Sequence, residues 1–273
     1  MEIEKEVENF KDVIRADYKK WLDEKPLMKK DIRVYVDALY QGYLDACRTF
    51  KWSSESKVKK CKNDVDKREK IKKICEGEKP SGCAYQIREY LTKDNSIDFN
   101  EKHVELCKSL HENFKKNGVM VSYGQAQKIV NMAFKYLYCC KLDDKMRERF
   151  KACHMPLDSF SLEWFKRCFK EEDFFDKDYF TKLPDKLFKK VDGEKLLLKA
   201  ESIGSWSSIK TLSENETEEM IRYPYEFYRD VIKKYCEEYN EKEVKREIYP
   251  LQLDFIVWPK MQKIMAAEAF IKT

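Results

Sequence analysis

Apolar residues recur every three or four positions along most of this chain, which is the spacing of an amphipathic α-helix. In residues 121–141 the positions at that spacing are Ala126, Ile129, Val130, Ala133, Phe134, Leu137 and Cys140. Four polar side chains of the same helix fall within one arc of about 120°: Gln125, Lys128, Asn131 and Lys135. Burying an ammonium or an amide without a partner costs several kcal/mol. We therefore expect this polar stripe to face solvent, a polar partner or a ligand groove, and we interpret it as a groove.

Similar spacing predicts helices on both sides of the central one. They cover residues 2–24, 31–47, 53–76, 83–92, 101–116, 158–169, 171–191 (two short helices), 213–222, 223–239, 250–258 and 261–271. Asp31 and Asp158 are expected to cap their helices, and Val104 is expected on a buried face. The prediction is an all-α fold, with residues 1–273 forming a single two-lobed helical domain. The lobe boundaries are expected near residues 93–100 and 200–212, where polar or serine-rich loops occur.

Composition narrows the function classes. Hydrophobic residues make up 42% of the 273 residues and charged residues 38%, with only seven glycines and seven prolines, which favours long helices. The longest apolar runs fall short of the roughly 18 residues that a membrane span needs, and the N-terminus lacks the apolar core of a signal peptide. We expect a cytosolic protein without a membrane partner. The net charge of +5 permits nucleic acid as a partner without requiring it.

Ten cysteines raise the question of a metal site. A CxxC pair is absent, and the adjacent residues Cys139 and Cys140 suit neither zinc nor a usual iron–sulfur pattern. His103, Cys107 and His111 stand at i, i+4 and i+8, but their helix face also carries core positions and offers no fourth ligand. We predict reduced core cysteines, and neither a metal nor a cofactor.

Residues 101–169 carry a resemblance to a known family. They predict a helix, a tight connection, the central helix with its polar stripe, a loop, and a helix opened by an acidic residue. This order resembles the helix-hairpin-helix DNA glycosylase superfamily. That family's hairpin, Leu-Pro-Gly-hydrophobic-Gly-x-Lys/Thr-x-Ala, is similar to residues 122–131, SYGQAQKIVN, and its Val-Asp-Thr-His segment is similar to residues 156–159, PLDS. The chain departs from the family at Ser122, Tyr123 and Ala126, and it lacks the iron–sulfur cysteines.

The resemblance implies a set of site residues. Lys128 would be the attacking amine, or a neutral substitute for it, and Asp158 the carboxylate that orients water or stabilises a sugar cation. Gly124 and neighbouring backbone amides would hold a DNA phosphate. The target base would leave the duplex and stack on an aromatic ring. The implied substrate-binding residues are Gly124, Gln125, Asn131, Lys135, His154, Tyr123 and Trp206, with Tyr136 as a further stacking candidate.

A second likeness points to group transfer. Residues 127–137, QKIVNMAFKYL, and residues 154–158, HMPLD, are also similar to the phage α-glutamyl/putrescinyl thymine pyrophosphorylases, which attach amines to modified thymines in DNA. Both likenesses imply one class, an enzyme that excises or modifies a base in DNA.

The alternative is a non-catalytic all-α module that binds a protein or nucleic acid. Its basic segment, residues 57–73, could lie along phosphates or simply be a solvated helix face. The enzyme hypothesis requires Lys128, Asn131, Lys135, His154 and Asp158 to converge on one cleft, with Gly124 at its rim.

Overall fold

The predicted all-α class is confirmed by the computed structural model, which describes residues 3–14, 19, 22, 31–93, 97–169, 188–191, 194–197, 205–211, 224–242 and 247–271. The helices in these ranges are α1 (Ile3–Val13), α2 (Ile32–Ala46), α3 (Asp64–Glu76), α4 (Cys83–Thr92), α5 (Phe99–Lys116), α6 (Tyr123–Tyr138), α7 (Asp144–Phe150), α8 (Ser159–Cys168), α9 (Tyr225–Lys242) and α10 (Pro250–Ile271). Short 3-10 turns at Cys47–Thr49 and Trp206–Ser208 complete the helical elements. No helix within the described ranges has the length and apolar character needed to cross a membrane.

A small antiparallel hairpin was not anticipated. Strand β1 (Phe188–Val191) pairs with β2 (Glu194–Leu197), with Phe188 opposite Leu197. The prediction of helix up to residue 191 is therefore wrong at its end, while residues 171–187 and the predicted helix at 213–222 lie outside the described residues.

Local side-chain chemistry decides where several helices begin. Asp31 caps α2 by accepting the backbone N–H of Arg33 at 3.0 Å, as expected. The charged helix begins at Asp64 rather than at residue 53, because Asn63 accepts the N–H of Asp66 at 2.8 Å and so starts the helix there. Val104 is 46% exposed, which corrects the buried face predicted for α5. The helix starts depend on single side-chain contacts, which the spacing of apolar residues does not resolve.

Helix α6 is the buried centre of the molecule. Every residue from Gly124 to Leu137 is buried. Helix α2 crosses α6 at close range, since a Cβ placed on Gly42 would lie 2.4 Å from the carbonyl oxygen of Ile129. Only glycine permits this approach, which brings polar residues of α2 next to those of α6.

Two clusters of buried apolar side chains flank α6. The first includes residues of α1 to α7, and the second includes residues of α8, α9 and most of the apolar side chains of α10. Helix α10 borders both, with Phe255 in the first cluster and Leu253 in the second, while Tyr123 and Trp206 pack against both. The two-lobed organisation and its boundaries remain predictions, but the start of α6 and the turn at Trp206–Ser208 lie where the two clusters meet.

Candidate functional site

The polar stripe of α6 is buried, and its groups find partners from distant parts of the chain. The exposed fractions are 7% for Gln125, 8% for Lys128, and 0% for Asn131 and Lys135. Gln125 takes part in the capping box of α6 with Ser122, and its amide nitrogen donates to the carbonyl of Thr49 at 2.9 Å. The stripe therefore faces polar partners and one cavity, and none of it faces open solvent.

Lys128 and Asp158 form the centre of the site. The Lys128 Nζ lies 3.4 Å from Asp158 Oδ2 and 4.6 Å from the ring centroid of Trp206. The other carboxylate oxygen, Oδ1, accepts the backbone N–H groups of Phe160 and Ser161 at 2.9 and 3.0 Å. Asp158 is thus both the predicted cap of α8 and the partner of Lys128. Because the N-terminus of a helix carries a partial positive charge, it is a favourable place for an acidic side chain.

A cavity of about 640 Å³ opens beside this pair, and we call it the central cavity. Its polar wall includes Lys128 and Asp158, and its aromatic wall includes Phe10, Tyr136, Phe160, Trp206 and Trp258. Cavities of roughly 300–1,000 Å³ with mostly apolar walls and a few convergent polar groups are typical small-molecule sites. The arrangement can hold a flat ring between aromatic faces with a lysine and a carboxylate at its edge.

Helix α2 adds two groups to the central cavity that the sequence did not indicate. Asp45 Oδ2 accepts the hydroxyl of Tyr136 at 2.8 Å, and burial raises the pKa of this carboxyl while the Tyr136 hydrogen bond opposes the rise. Gln41 lies one turn earlier, is 6% exposed, and makes no hydrogen bond within the described residues. The available signal was that Gln41 and Asp45 stand at i and i+4 among the mostly apolar and aromatic residues in the second half of this helix.

Two amides of α6 hold the loop that leads to Asp158. The Gln127 Nε2 donates to the carbonyl of Leu157 at 2.9 Å, and Gln127 Oε1 accepts the N–H of the same residue at 3.3 Å. Asn131 Nδ2 donates to the carbonyl of Met155 at 3.3 Å. Gln127, which was not among the predicted site residues, therefore acts as a positioning residue that fixes Asp158 opposite Lys128.

His154 and Tyr123 lie behind the central cavity rather than in its wall. The His154 Nδ1 is 3.0 Å from the hydroxyl of Tyr225, and His103 Nδ1 is 3.2 Å from the hydroxyl of Tyr123. Burial lowers the pKa of His103 to about 3 and the pKa of His154 well below its usual value. Both histidines are neutral at physiological pH, and they serve as hydrogen-bonding core residues.

The histidine–cysteine trio on α5 does not assemble. His111 Nδ1 lies 2.6 Å from the carbonyl of Val121, whereas His103 points to the tyrosines. Across the described part of the chain, no group of three or more histidine, cysteine or acidic side chains is arranged to hold a metal ion.

The backbone amide of Gly124, which was expected to hold a phosphate, already has a partner within the chain. Its backbone N–H donates to the carbonyl of Ile209 at 3.0 Å, and Ser122 Oγ donates to the carbonyl of Ser207. A Cβ on Gly124 would lie 2.2 Å from the carbonyl oxygen of Trp206. The glycine is needed because residues 205–211 cover the start of α6, and this cover places the Trp206 ring over Lys128.

Lys135 is separated from the central cavity. Its Nζ is 2.6 Å from Asp254 Oδ2 and 4.1 Å from the ring centroid of Phe10, with side-chain exposures of 1% for Lys135 and 3% for Asp254. Burial raises the pKa of the Asp254 carboxyl, and the charge of Lys135 opposes that rise. The predicted convergence is thus partial: Lys128, Asp158 and Trp206 share one cavity, while Asn131, His154 and Lys135 support it from behind.

Comparison of the chain with protein-family models, curated proteins and solved structures finds no match. The resemblance to helix-hairpin-helix glycosylases therefore remains a prediction. Any functional argument has to come from the central cavity and the groups around it.

Proposed function

We propose that this protein is an enzyme that acts on a base in DNA, excising or modifying it, with Lys128 and Asp158 as the catalytic pair. The observation that carries the proposal is the placement of Lys128 Nζ 3.4 Å from Asp158 Oδ2 in the wall of an aromatic cavity of about 640 Å³. An amine beside a carboxylate, next to space for a flat ring, is the arrangement needed for attack at a sugar carbon bonded to a base.

The chemistry follows from the two groups. Asp158 accepts a proton from the Lys128 ammonium, and the neutral amine attacks the C1′ carbon of the sugar. A bond forms between Nζ and C1′ while the bond from C1′ to the base nitrogen breaks, and the departing base carries its electron pair and takes the proton that Asp158 holds. As Asp158 gives up this proton, its carboxylate forms again beside the positive charge of the sugar and stabilises it. In the group-transfer version, Asp158 would take a proton from the amine of a second substrate, and that nitrogen would bond to a substituent carbon of the base as the leaving group on that carbon departs.

The lining of the central cavity supports entry of an unstacked base. Extruding a base costs a few kcal/mol, and stacking a base on an aromatic side chain returns about 1–3 kcal/mol. Trp206, Phe160 and Trp258 offer such faces around Lys128. Arg48, an exposed residue that also lines the central cavity, is available to a phosphate of the strand. Arg48 would bind the phosphate in place of the backbone N–H of Gly124, which already donates to the carbonyl of Ile209.

The test is a panel of DNA duplexes and single strands carrying standard and altered bases. They are incubated with the protein and assayed for abasic sites and for mass changes. We expect Asp158→Asn and Lys128→Gln to lower the rate by about 10²–10⁴-fold without loss of DNA binding. Asparagine caps a helix as well as aspartate does, so the Asp158→Asn protein should fold. Lys141→Gln, which changes an exposed lysine, is the matched control.

A non-catalytic binding module is the outcome that would replace this proposal. Its supporting observation is that Asp158 already has a structural task as the cap of α8. If no base in the panel is altered, while binding to DNA falls steeply with added salt, the protein is a DNA-binding module. If binding to DNA is absent or insensitive to salt, a protein partner is favoured.

A further inference from the structure

The Gln41 amide is open to the central cavity and is available to a ligand there. It is 94% buried, being 6% exposed, lines the central cavity, and has no hydrogen-bond partner in the described part of the chain. Buried polar side chains are nearly always paired. An amide that stays unpaired inside a cavity is explained when a ligand supplies the partner.

Asp45 presents a second open group beside it. The Tyr136 hydroxyl donates to Asp45 Oδ2, which leaves Oδ1 directed to no other described residue. Asp45 follows Gln41 by one helical turn, so both side chains lie on one face of α2. Lys128, on the facing helix, lines the same cavity and acts electrostatically on Asp45.

We infer that Gln41 and Asp45 form the base-recognition edge of the central cavity and select a uracil-type base, in which a ring N–H lies between two carbonyls. This inference rests on the proposed function. An ionised carboxylate only accepts hydrogen bonds, so Asp45 takes the ring N–H. The amide of Gln41 donates to one flanking carbonyl, while Lys128 stays with the sugar that it attacks.

A cytosine-type base fits this edge less well. It presents an amino group and an unprotonated ring nitrogen, and that nitrogen would face the Asp45 carboxylate, so two acceptors would meet. The donor of Gln41 and the acceptor of Asp45 complement a carbonyl next to a ring N–H. Asp45 is therefore the specificity-determining residue, and Gln41 orients the ring.

The test measures the binding of three single-stranded oligonucleotides that differ only in one central base: uracil, 3-methyluracil or cytosine. A 2′-fluoroarabino sugar at that position resists cleavage, so binding is read without turnover. We expect the full-length protein to bind the uracil strand about tenfold more tightly or better than the other two, as for a well-paired base edge. Gln41→Leu should reduce that ratio.

Asp45→Asn gives the sharpest outcome. The Tyr136 hydroxyl still has an oxygen to donate to, so the asparagine directs its NH₂ group into the cavity. We expect the preference to move from uracil to cytosine. Asp37→Asn is the matched control, because Asp37 stands on the same helix and pairs with Lys72 away from the cavity. It should leave the ratio unchanged.

Failure of this inference can be told from failure of the proposed function. Equal binding of uracil and 3-methyluracil, or an unchanged ratio in Asp45→Asn, overturns the recognition edge while DNA chemistry that depends on Lys128 would still stand. If none of the three strands binds and no base is altered, both proposals fall.

Discussion

The buried pair of Lys135 and Asp254 gives the most exact quantitative prediction. Lys135→Met removes one charge of a pair whose side chains are 1% and 3% exposed. Methionine keeps most of the volume and the unbranched shape, so the aromatic rings around the site can still pack. The change therefore isolates the effect of leaving the Asp254 carboxylate without its partner.

The expected loss in the free energy of unfolding is about 3–5 kcal/mol, the cost of an uncompensated buried charge. A domain of ordinary stability has about 5–15 kcal/mol in total, so the variant should retain its fold with a clearly lower melting temperature. The double variant Lys135→Met/Asp254→Leu removes both charges, and we expect it to recover most of the loss. Urea unfolding of the three proteins measures these differences.

The pH dependence adds a second signature. Burial raises the pKa of Asp254, and Lys135 opposes that rise, so removing Lys135 raises the pKa further. When the folded-state pKa lies above the unfolded value, the folded protein binds more protons at pH values between the two. Stability is therefore lost as pH rises from the unfolded-state pKa through the folded-state pKa. The difference between wild type and Lys135→Met should therefore be larger near pH 7 than near pH 5.

Two results would refute this reasoning. If the single and double variants are equally destabilised, the loss comes from packing around Lys135 rather than from an unpaired charge. If the double variant folds with wild-type stability but loses activity on DNA, Lys135 acts in the chemistry after all, contrary to its separation from the central cavity.

Three further predictions follow from single contacts. Gln127→Leu should cost about 1–3 kcal/mol, because the Leu157 N–H and carbonyl lose their partner, and it should lower activity more than DNA binding; urea unfolding and rate measurements test both. Gly124→Ala should destabilise the protein by about 1–3 kcal/mol and change its tryptophan fluorescence, because the new Cβ would meet the Trp206 carbonyl oxygen at 2.2 Å; unchanged stability would contradict this. His103 has a pKa of about 3 when folded and about 6.5 when unfolded. Its contribution to stability is therefore complete above about pH 6.5 and is lost as pH falls, by up to about 1.4 kcal/mol per pH unit, and a flat profile over that range would refute it.

Local patterns predicted the elements well. Periodic apolar residues located α6, and the bounds Cys83–Thr92 of α4 agree with the prediction. Asp158 was expected to cap a helix because acidic residues accept the free N–H groups there, and this is confirmed. These features depend on residues within a few positions of one another, which is the range over which sequence spacing is informative.

Partners from distant parts of the chain could not be predicted. Asp254, the partner of Lys135, lies 119 positions away, and the contact of Gln127 with Leu157 spans 30 positions. A polar stripe has the same spacing whether it faces water, a cavity or a buried carboxylate. The roles of Gln41 and Asp45 were missed for the same reason, since only the crossing of α2 over α6 places them beside Lys128.

The most direct test of the central claim is to ask whether a DNA base enters the central cavity. A single-stranded oligonucleotide with one 5-iodouracil is bound to the full-length protein, irradiated, and the cross-linked peptide is identified by mass spectrometry. We predict cross-links at the aromatic residues of the cavity, Trp206, Trp258 or Tyr136, and their loss when unmodified uracil strand competes. Cross-links confined to the basic segment at residues 57–73, or none at all, would contradict the claim.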